Sequence, residues 1–250
     1  RLLSRIVGRL RVVLPDGLGL LENDVRELAG TLWSIGSVEV LVKPEGTSAT
    51  PAHTVLNVGA VVPGDSRWTT INSNGWLARV SSKPGRLNGD TTLGAMAAAT
   101  LGVSEVFKRV YGINSEQAPP LESTEFSLYN LSADDPTQGP ELPAATHLPD
   151  TLLVGAGAIG NAIVLLILQL QLRGRLHIVD KQVFAAENLG TCVLLDNLAW
   201  MGTSKAQRLA QVLRDGGVNV SFEQSSIADA ARGSALRTMA TELVLNALDD

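Results

Sequence analysis

Apolar residues in this chain form short runs separated by amphipathic stretches, a pattern typical of alternating strands and helices. The clearest example lies within residues 150–180. Residues 151–154 (TLLV) and 176–179 (LHIV) have strand character, and residues 162–172 between them are apolar enough for a buried helix. Asp180 closes the second strand. The pattern predicts a strand–helix–strand unit of a parallel sheet, and hence an α/β fold.

The same patterns extend this α/β interpretation to the rest of the chain. Predicted strands lie at residues 10–14, 37–42, 53–62, 126–131, 218–223 and 242–248, and predicted helices at residues 20–33, 94–110, 205–214 and 227–240. Residues 68–81 are predicted to form two strands broken near residues 72–75. Residues 133–149 are rich in proline and acidic side chains, which is typical of a linker.

The two parts of the chain follow the same order of elements, which predicts an internal repeat. A strand, a helix and a strand open each part, and a strand with the letters V-L-N follows at residues 53–60 and 242–249. We therefore predict two Rossmann-like halves that form a pseudo-dimer, residues 1–131 and residues 150–250, joined by a linker at residues 132–149. An alternative remains open, because any two α/β domains share a strand–helix–strand plan.

Composition narrows the class of protein. Of the 250 residues 45% are apolar, which is enough for one large or two ordinary domains. Acidic residues outnumber basic ones, 25 to 20, and no basic cluster indicates nucleic-acid binding. A single cysteine excludes an internal disulfide framework and favours a reducing compartment, so we predict a cytoplasmic protein. The first residue is Arg1 rather than Met, which suggests a piece of a longer chain.

A glycine motif follows the first strand of the second half. Gly155, Gly157 and Gly160 give G-x-G-x-x-G at the start of the predicted helix. Glycines at this spacing let the backbone approach a phosphate, and the helix N-terminus offers free N–H groups and a positive dipole end. Asp180, at the tip of the second strand, can accept hydrogen bonds from ribose hydroxyls. The motif predicts nucleotide binding and does not specify the nucleotide.

Three positions separate the two halves chemically. They hold Gly155, Asp180 and Asp249 in the second half, and Pro15, Lys43 and Ala60 in the first. We therefore predict that the first half is inactive and that nucleotide binds only to the second half.

Five features of the second half occur in a fixed order. They are the glycine motif, Asp180, Asn188 with the leucine after it, Lys205 and Asp249. This order resembles the ThiF/MoeB adenylating superfamily, which includes the ubiquitin-activating enzymes, and suggests a bacterial type of the latter. The active and inactive halves are similar to the paired halves of those enzymes. The resemblance implies ThiF-type halves and a second half that is incomplete at its C-terminus.

The resemblance implies an activity and a role for each of these residues. The activity is ATP-dependent adenylation of the C-terminal carboxylate of a ubiquitin-like protein, with release of pyrophosphate. Gly155, Gly157 and Gly160 would admit ATP, Asp180 would hold the ribose, Asn188 and Lys205 would contact phosphates, and Asp249 would hold Mg²⁺. Asp249, Lys205 and an arginine from the opposite half would be the catalytic residues. A thioester step, a conjugating enzyme as a further partner and a homodimer are compatible with this family.

The sequence departs from the family pattern at three positions. Gln182 replaces the second acid of D-x-D, and Thr191 and Cys192 replace the arginine and glutamine of N-L-x-R-Q. By resemblance, Arg5 is the candidate for the missing positive charge, with Arg9 as the fallback. Cys192 lies among apolar residues, which predicts a buried side chain rather than a thioester cysteine.

Alternatives to these interpretations stay open. Taken singly, Asp180 could cap a strand, Asn188 could be a turn residue, Lys205 could be a solvated helix residue and Asp249 a loop acid. The glycine motif also occurs in NAD-dependent oxidoreductases. A third hypothesis is a non-catalytic scaffold that only holds a partner, and the loss of the arginine at Thr191 favours it somewhat.

Overall fold

The computed structural model describes residues 1–15, 19–31, 34, 36–43, 54–58, 68–83, 92–113, 123–143, 146–194, 198–233, 236 and 239–248. The chain forms two compact units. The first unit is formed by Leu2–Gly30 and Ser34–Glu141, and the second unit mainly by Leu142–Asp250. Both units combine helices with parallel strands, so the predicted α/β class is confirmed.

A strand–helix–strand motif opens the first unit. Strand β1 (Arg9–Pro15) pairs in parallel with β2 (Ser37–Lys43), and helix α1 (Gly19–Thr31) connects them. An ion pair between Glu22 and Arg26, one turn apart, supports the exposed face of α1. The three elements that the hydrophobic pattern predicts for this stretch are confirmed.

A second sheet of the first unit has the strand order β3–β4–β5–β6. Its strands are β3 (Val55–Val58), β4 (Trp68–Asn74), β5 (Leu77–Ser81) and β6 (Ser123–Ser127). Helix α2 (Thr92–Val110) packs on this sheet, and Ala98 of the helix is buried with Ile71 and Val80 of the strands. Gly102 permits this close packing, because a Cβ there would lie 2.6 Å from Cγ2 of Ile71.

Two strands of this sheet differ from the sequence-based prediction. The strand predicted at residues 53–62 is observed as β3, and residues 59–67 lie outside the described residues. The strand predicted at residues 126–131 is β6, which ends earlier, at Ser127. The Ser127 hydroxyl accepts hydrogen bonds from the backbone N–H groups of Tyr129 and Asn130, and this local turn replaces the strand.

The second unit contains a parallel sheet of four strands in the order β10–β7–β8–β9. The strands are β7 (Thr151–Val154), β8 (Arg175–Val179), β9 (Asn219–Glu223) and β10 (Leu243–Asn246). The chain proceeds outward from β7 to β8 and β9, and then returns to the other side of β7 as β10. This order is Rossmann-like, because the direction of the connections reverses beside β7.

Helices cover both faces of the sheet in the second unit. Helices α3 (Ala158–Gln169) and α4 (Lys205–Asp215) lie on one face, and the short helix α5 (Ile227–Ala230) lies on the other. The larger core is formed by Leu153, Val164, Ile167, Leu176, Ile178, Leu209 and Leu213, among others. None of the described helices has the length and apolar character needed to span a membrane.

The helix predicted at residues 227–240 is interrupted by a turn. Its first part is α5, and a turn at residues 231–233 follows. Leu236 is helical again, and residues 234–235 and 237–238 lie outside the described residues. The apolar spacing therefore predicts helical residues on both sides of the turn and does not predict the interruption, which comes at a glycine, Gly233.

The predicted repeat holds for three elements and differs at the fourth. The β1–α1–β2 and β7–α3–β8 motifs both have parallel strand pairs. The V-L-N strand of the second unit, β10, pairs with β7, whereas its counterpart β3 pairs with β4 and, within the described residues, with neither β1 nor β2. The arrangement of the halves as a pseudo-dimer therefore stays a prediction.

A buried histidine gives the second unit an expected pH dependence. His177 of β8 is 6% exposed, its Nδ1 lies 2.7 Å from Oγ of Ser221, and its Nε2 has no partner within the described residues. Burial lowers the pKa of His177, and the charge of Glu223 opposes this in part. The unfolded chain takes up a proton near the usual imidazole pKa of about 6.5, whereas the folded chain resists it. The free energy of unfolding should therefore fall as the pH drops below about 6.5.

Urea unfolding of the wild type and of His177→Gln between about pH 5.5 and pH 7.5 measures this effect. We expect the substitution to flatten the pH profile, whereas His147→Gln, at an exposed histidine, should leave the profile as it is. Equal slopes for the wild type and His177→Gln would contradict the assignment.

Candidate nucleotide-binding site

The glycine loop is closely packed at two of its three glycines. Gly155 directly follows β7 and has a φ of +96°, which side chains rarely adopt. A Cβ at Gly155 would lie 2.6 Å from the carbonyl oxygen of Ala247, and a Cβ at Gly160 would collide with the carbonyl oxygen of Gly155. These two glycines are therefore required by the fold itself.

Gly157 has a different environment. It is the N-cap residue of α3 with a φ of −75°, and nothing lies within 4 Å of the position that a Cβ would take. No side chain caps α3, so its first N–H groups face the open side of the loop without a side-chain acceptor. An open space in front of a helix N-terminus is suited to a phosphate group. Of the three glycines, Gly157 is the one whose missing side chain leaves open space rather than meeting the fold.

Asn161 holds the glycine loop in place, a role that the sequence did not predict. Its side chain is fully buried, and its Nδ2 donates to the carbonyl oxygens of Ala156 (3.0 Å) and Gly157 (2.9 Å). Its Oδ1 accepts a hydrogen bond from the backbone N–H of Leu194. A signal was present, because Asn161 and Gln169 are the only polar side chains in the sequence of α3.

Asp180 lies at the same edge of the sheet as the glycine loop. Its Oδ2 accepts a hydrogen bond from the N–H of Ala156 and its Oδ1 from the N–H of Gln182, both at 2.6 Å. The carboxylate therefore ties the end of β8 to the glycine loop and is 8% exposed. Each oxygen has a further lone pair, so these bonds leave acceptor capacity for ribose hydroxyls. This edge is where the sheet order reverses, the usual ligand position in open α/β sheets.

Lys205 is buried at the start of α4, which excludes the interpretation as a solvated helix residue. It is 4% exposed, and its Nζ donates to Oε1 of Gln182 at 2.7 Å. Its backbone N–H also donates to the carbonyl oxygen of Gln182 (3.0 Å). The hydroxyl of Ser204 accepts a hydrogen bond from the N–H of Gln207, so Ser204 is the N-cap of α4. The lysine is thereby fixed at a helix N-terminus on the carboxyl side of the sheet.

Asn188 has a structural role in the observed fold. It lies in a 3-10 helix, Ala186–Gly190, and its Oδ1 accepts a hydrogen bond from the N–H of Ala185 (3.0 Å). Its carbonyl oxygen accepts from the N–H of Cys192 (2.8 Å). Cys192 is fully buried in a cluster with Phe184, as the sequence predicts. The Nδ2 group of Asn188 remains available, so its predicted phosphate contact stays a prediction.

Two predicted site residues are not brought to this edge by the described contacts. Asp249, the predicted Mg²⁺ ligand and catalytic residue, lies outside the described residues. Within the described part of the chain, no group of three or more His, Cys, Asp and Glu side chains could hold a metal ion. Arg5 lies in the first unit, buried in the 3-10 helix Leu3–Arg5. Its role, like that of Arg9, stays a prediction.

A cavity of about 510 Å³ lies at the opposite, amino-terminal edge of the sheet, lined by His147, Asp150, Arg175, Asn219 and Glu242, among others. Its arginine forms an ion pair with Asp150, with Nε of Arg175 at 2.8 Å from Oδ1. This hydrogen bond and the charge of Asp150 raise the pKa of Arg175. Because its cation is already paired, this cavity is less suited to phosphates than the edge with Lys205.

Comparison with known proteins gives a family match within the first unit. Residues 24–119 match the family described as the BilD N-terminal domain. The chain is also similar to the uncharacterized protein y4jF of Sinorhizobium fredii, with 30% identity over 226 residues. That match covers 88% of the present chain and 42% of the relative, so the chain spans less than half the length of y4jF.

Among solved structures, the chain is similar to the E. coli tRNA N6-threonylcarbamoyladenosine dehydratase TcdA, determined in complex with ATP. The sequence identity is 17% and the TM-score is 0.36. The similarity covers 43% of this chain and 42% of that one.

Proposed function

We propose that the second unit binds ATP at the carboxyl edge of its sheet and that the protein adenylates a carboxylate. The observation that carries this proposal is the buried Lys205, whose ammonium group is hydrogen-bonded to the neutral Gln182, on the same edge as an open glycine loop. A loop suited to phosphate and a positive charge that has no carboxylate partner among the described residues together fit a nucleotide that carries several phosphates. The carboxylate would belong to the C-terminus of a ubiquitin-like protein.

Each residue of the site has a distinct task in this proposal. The N–H groups at the start of α3 receive phosphate oxygens in the open space at Gly157, and Asp180 accepts hydrogen bonds from the ribose. Lys205 offsets negative charge on the phosphates as a point charge. Asn188 donates from its remaining Nδ2 group. The ordered loop aligns the nucleotide before the reaction, and this positioning accounts for much of the rate when two anionic reactants must meet.

The proposed reaction is an acyl adenylation. An oxygen of the substrate carboxylate attacks the α-phosphorus of ATP, a new acyl–phosphate bond forms, and the bond to pyrophosphate breaks. Asp249 is the proposed ligand of Mg²⁺, which when bound would supply positive charge to offset that of the leaving pyrophosphate. Arg5 is the proposed source of a further positive charge.

Two measurements distinguish this proposal from its alternatives. Thermal unfolding with ATP and Mg²⁺, compared with NAD, separates an adenylating enzyme from an oxidoreductase, because a bound ligand raises the melting temperature. Pyrophosphate exchange into ATP in the presence of ubiquitin-like proteins separates an enzyme from a scaffold. Stabilisation by NAD and not by ATP would refute the proposal, and ATP binding without exchange would favour the scaffold.

Substitution of two glycines by alanine separates the needs of the ligand from those of the fold. We expect Gly160→Ala to lower the free energy of unfolding by more than about 2 kcal/mol, because its Cβ collides with the carbonyl oxygen of Gly155. We expect Gly157→Ala to fold as well as the wild type, or to gain up to about 1 kcal/mol from a stiffer unfolded chain. It should still weaken ATP binding about 10-fold, since its methyl group occupies the space proposed for a phosphate.

Urea unfolding and calorimetric titration with ATP measure the two effects. Gly202→Ala is a less suitable control because of its φ of +79°, whereas Gly190→Ala, at an open position in the same unit, changes neither the loop nor a strained φ. Unchanged ATP affinity in Gly157→Ala would remove the glycine loop from the proposed site.

A further inference from the structure

Gln182 links the members of the candidate site through backbone and side chain. Its N–H donates to Asp180 Oδ1, its carbonyl oxygen accepts from the N–H of Lys205, and its side-chain Oε1 accepts from Lys205 Nζ. Because Asp180 also holds the N–H of Ala156, these bonds form a continuous chain from the glycine loop to the lysine. Gln182 is the residue through which the position of the ammonium group depends on the position of the loop.

The partner of Lys205 is neutral. Two other cations are held by carboxylates: Nζ of the partly buried Lys108 lies 2.6 Å from Oε1 of Glu105, and the exposed Arg175 is paired with Asp150. Lys205 is more buried than either and forms no ion pair with the described part of the chain. The positive charge of Lys205 is therefore oriented by a hydrogen bond without being neutralised.

This arrangement has an energetic consequence. An ammonium group has three N–H donors, and removing it from water is costly unless acceptors replace the water. Gln182 satisfies one donor. An anionic ligand would supply both the remaining acceptors and the opposite charge, and its attraction to the ammonium group would be stronger than at an exposed lysine because Lys205 is buried. A carboxylate at position 182, like the second acid of D-x-D in the family that the chain resembles, would pair with the lysine and compete with phosphate for it.

We propose that Gln182 is a positioning residue that makes the site selective for polyphosphate. It aims the Lys205 ammonium group at the ligand, and its neutral amide leaves the charge available to phosphate oxygens. This inference rests on the proposed function only in taking the ligand to be a nucleoside triphosphate. The contribution of Gln182 to ligand affinity should therefore grow with the number of phosphates on the ligand and be absent for adenosine.

The test compares the intact wild-type protein with Gln182→Glu, which has nearly the same shape and one more negative charge. Gln211→Glu is the matched control, because it adds the same charge at an exposed position of α4, the helix that carries Lys205. Gln182→Asn keeps a neutral amide and serves as the conservative variant. Calorimetric titrations use ATP, AMP, adenosine and inorganic tripolyphosphate, and urea unfolding reports the stability of each variant.

We expect Gln182→Glu to weaken ATP and tripolyphosphate about 10- to 100-fold, AMP less, and adenosine not at all. Gln182→Asn should stay within about 3-fold of the wild type for every ligand, and Gln211→Glu should match the wild type. The stability of Gln182→Glu should be equal to the wild type or higher, because it pairs a buried charge. Equal ATP affinity in the wild type and Gln182→Glu, or an equal loss for adenosine and ATP, would overturn the inference.

The failure of the proposed function would have a different signature. If the wild type binds tripolyphosphate and not ATP, and Gln182→Glu loses the tripolyphosphate, the role of Gln182 stands and the nucleotide assignment falls. If the wild type binds ATP and Gln182→Glu binds it equally well, the function stands and the role of Gln182 falls. If the wild type binds neither ligand, both are refuted.

Discussion

Replacing Lys205 by methionine should weaken ATP binding by about 10- to 100-fold and leave the protein at least as stable as the wild type. The loss reflects charge-assisted hydrogen bonds to phosphate oxygens. The Lys205→Met variant should be stable because Lys205 is 4% exposed and its described partner, Gln182, is neutral. A buried charge that is not paired in the free protein costs folding energy, and an apolar side chain of similar volume avoids that cost. If Lys205 served folding alone, its replacement by methionine would lower the free energy of unfolding and leave the ATP affinity unchanged.

Calorimetric titration with ATP and urea unfolding measure the two quantities on the same variant. Lys83→Met, at an exposed lysine of the first unit, makes the same change in net charge and controls for general electrostatic attraction. A Lys205→Met variant that is destabilised by several kcal/mol and binds ATP normally would show that the lysine is a structural residue.

Removal of the Asn161 side chain should lower the free energy of unfolding more than the substitutions at Gly160, Gln182 or Lys205. Asn161→Ala leaves the carbonyl oxygen of Ala156 and the N–H of Leu194 without the partner they have at this fully buried side chain. It also removes one of two donors to the carbonyl oxygen of Gly157, which keeps the backbone N–H of residue 161. With about 1–1.5 kcal/mol for each hydrogen bond and a small cavity, we expect the free energy of unfolding to fall by about 3–5 kcal/mol. ATP binding should fall as well, because the loop that faces the ligand is no longer fixed.

The aspartate variant makes the same test with an unchanged shape. Asn161→Asp cannot donate at neutral pH and places a negative charge against two carbonyl oxygens, so it should be at least as destabilising as alanine. Its defect should become smaller in acid, because a protonated carboxyl group can donate again. Urea unfolding of both variants measures this, with Asn219→Ala as the exposed control. A loss below about 1 kcal/mol for both would contradict the anchoring role.

The fold of the second unit was accessible from the sequence because its signals agree with each other. Residues 151–154 combine strand character with a following glycine motif, and the structure has β7 at the same bounds. Prediction failed where a local contact decided the outcome. The turn at the Ser127 hydroxyl ends β6 early, although the predicted strand extends to residue 131, and a turn at residues 231–233 interrupts the helix predicted at residues 227–240. The pairing of strands could not be predicted from the sequence either, because the two V-L-N strands are alike in sequence and yet join sheets of different order.

The candidate site was predictable in its positions and not in its contacts. The motif order indicates Gly155, Asp180 and Lys205, but not that Asp180 receives the N–H of Ala156 or that Gln182 holds the lysine. These partners are fixed by tertiary structure, since Lys205 lies on α4 and Gln182 on the loop after β8. A glutamine in an exposed loop has no pattern of its own. The one signal in the sequence is that Gln182 stands where the family that the chain resembles has the second acid of D-x-D.

The place of β10 beside β7 sets the order in which the loop can be completed during synthesis. β10 is the last described strand of the chain, although its neighbour β7 is the first strand of the second unit. Ala247 donates its N–H to the carbonyl oxygen of Val154, and its own carbonyl oxygen is the wall against which Gly155 packs. A ribosome delivers β7, α3, β8 and β9 long before β10. The glycine loop therefore lacks one of its packing partners until β10 has been translated, and the nascent chain cannot complete the candidate site before then.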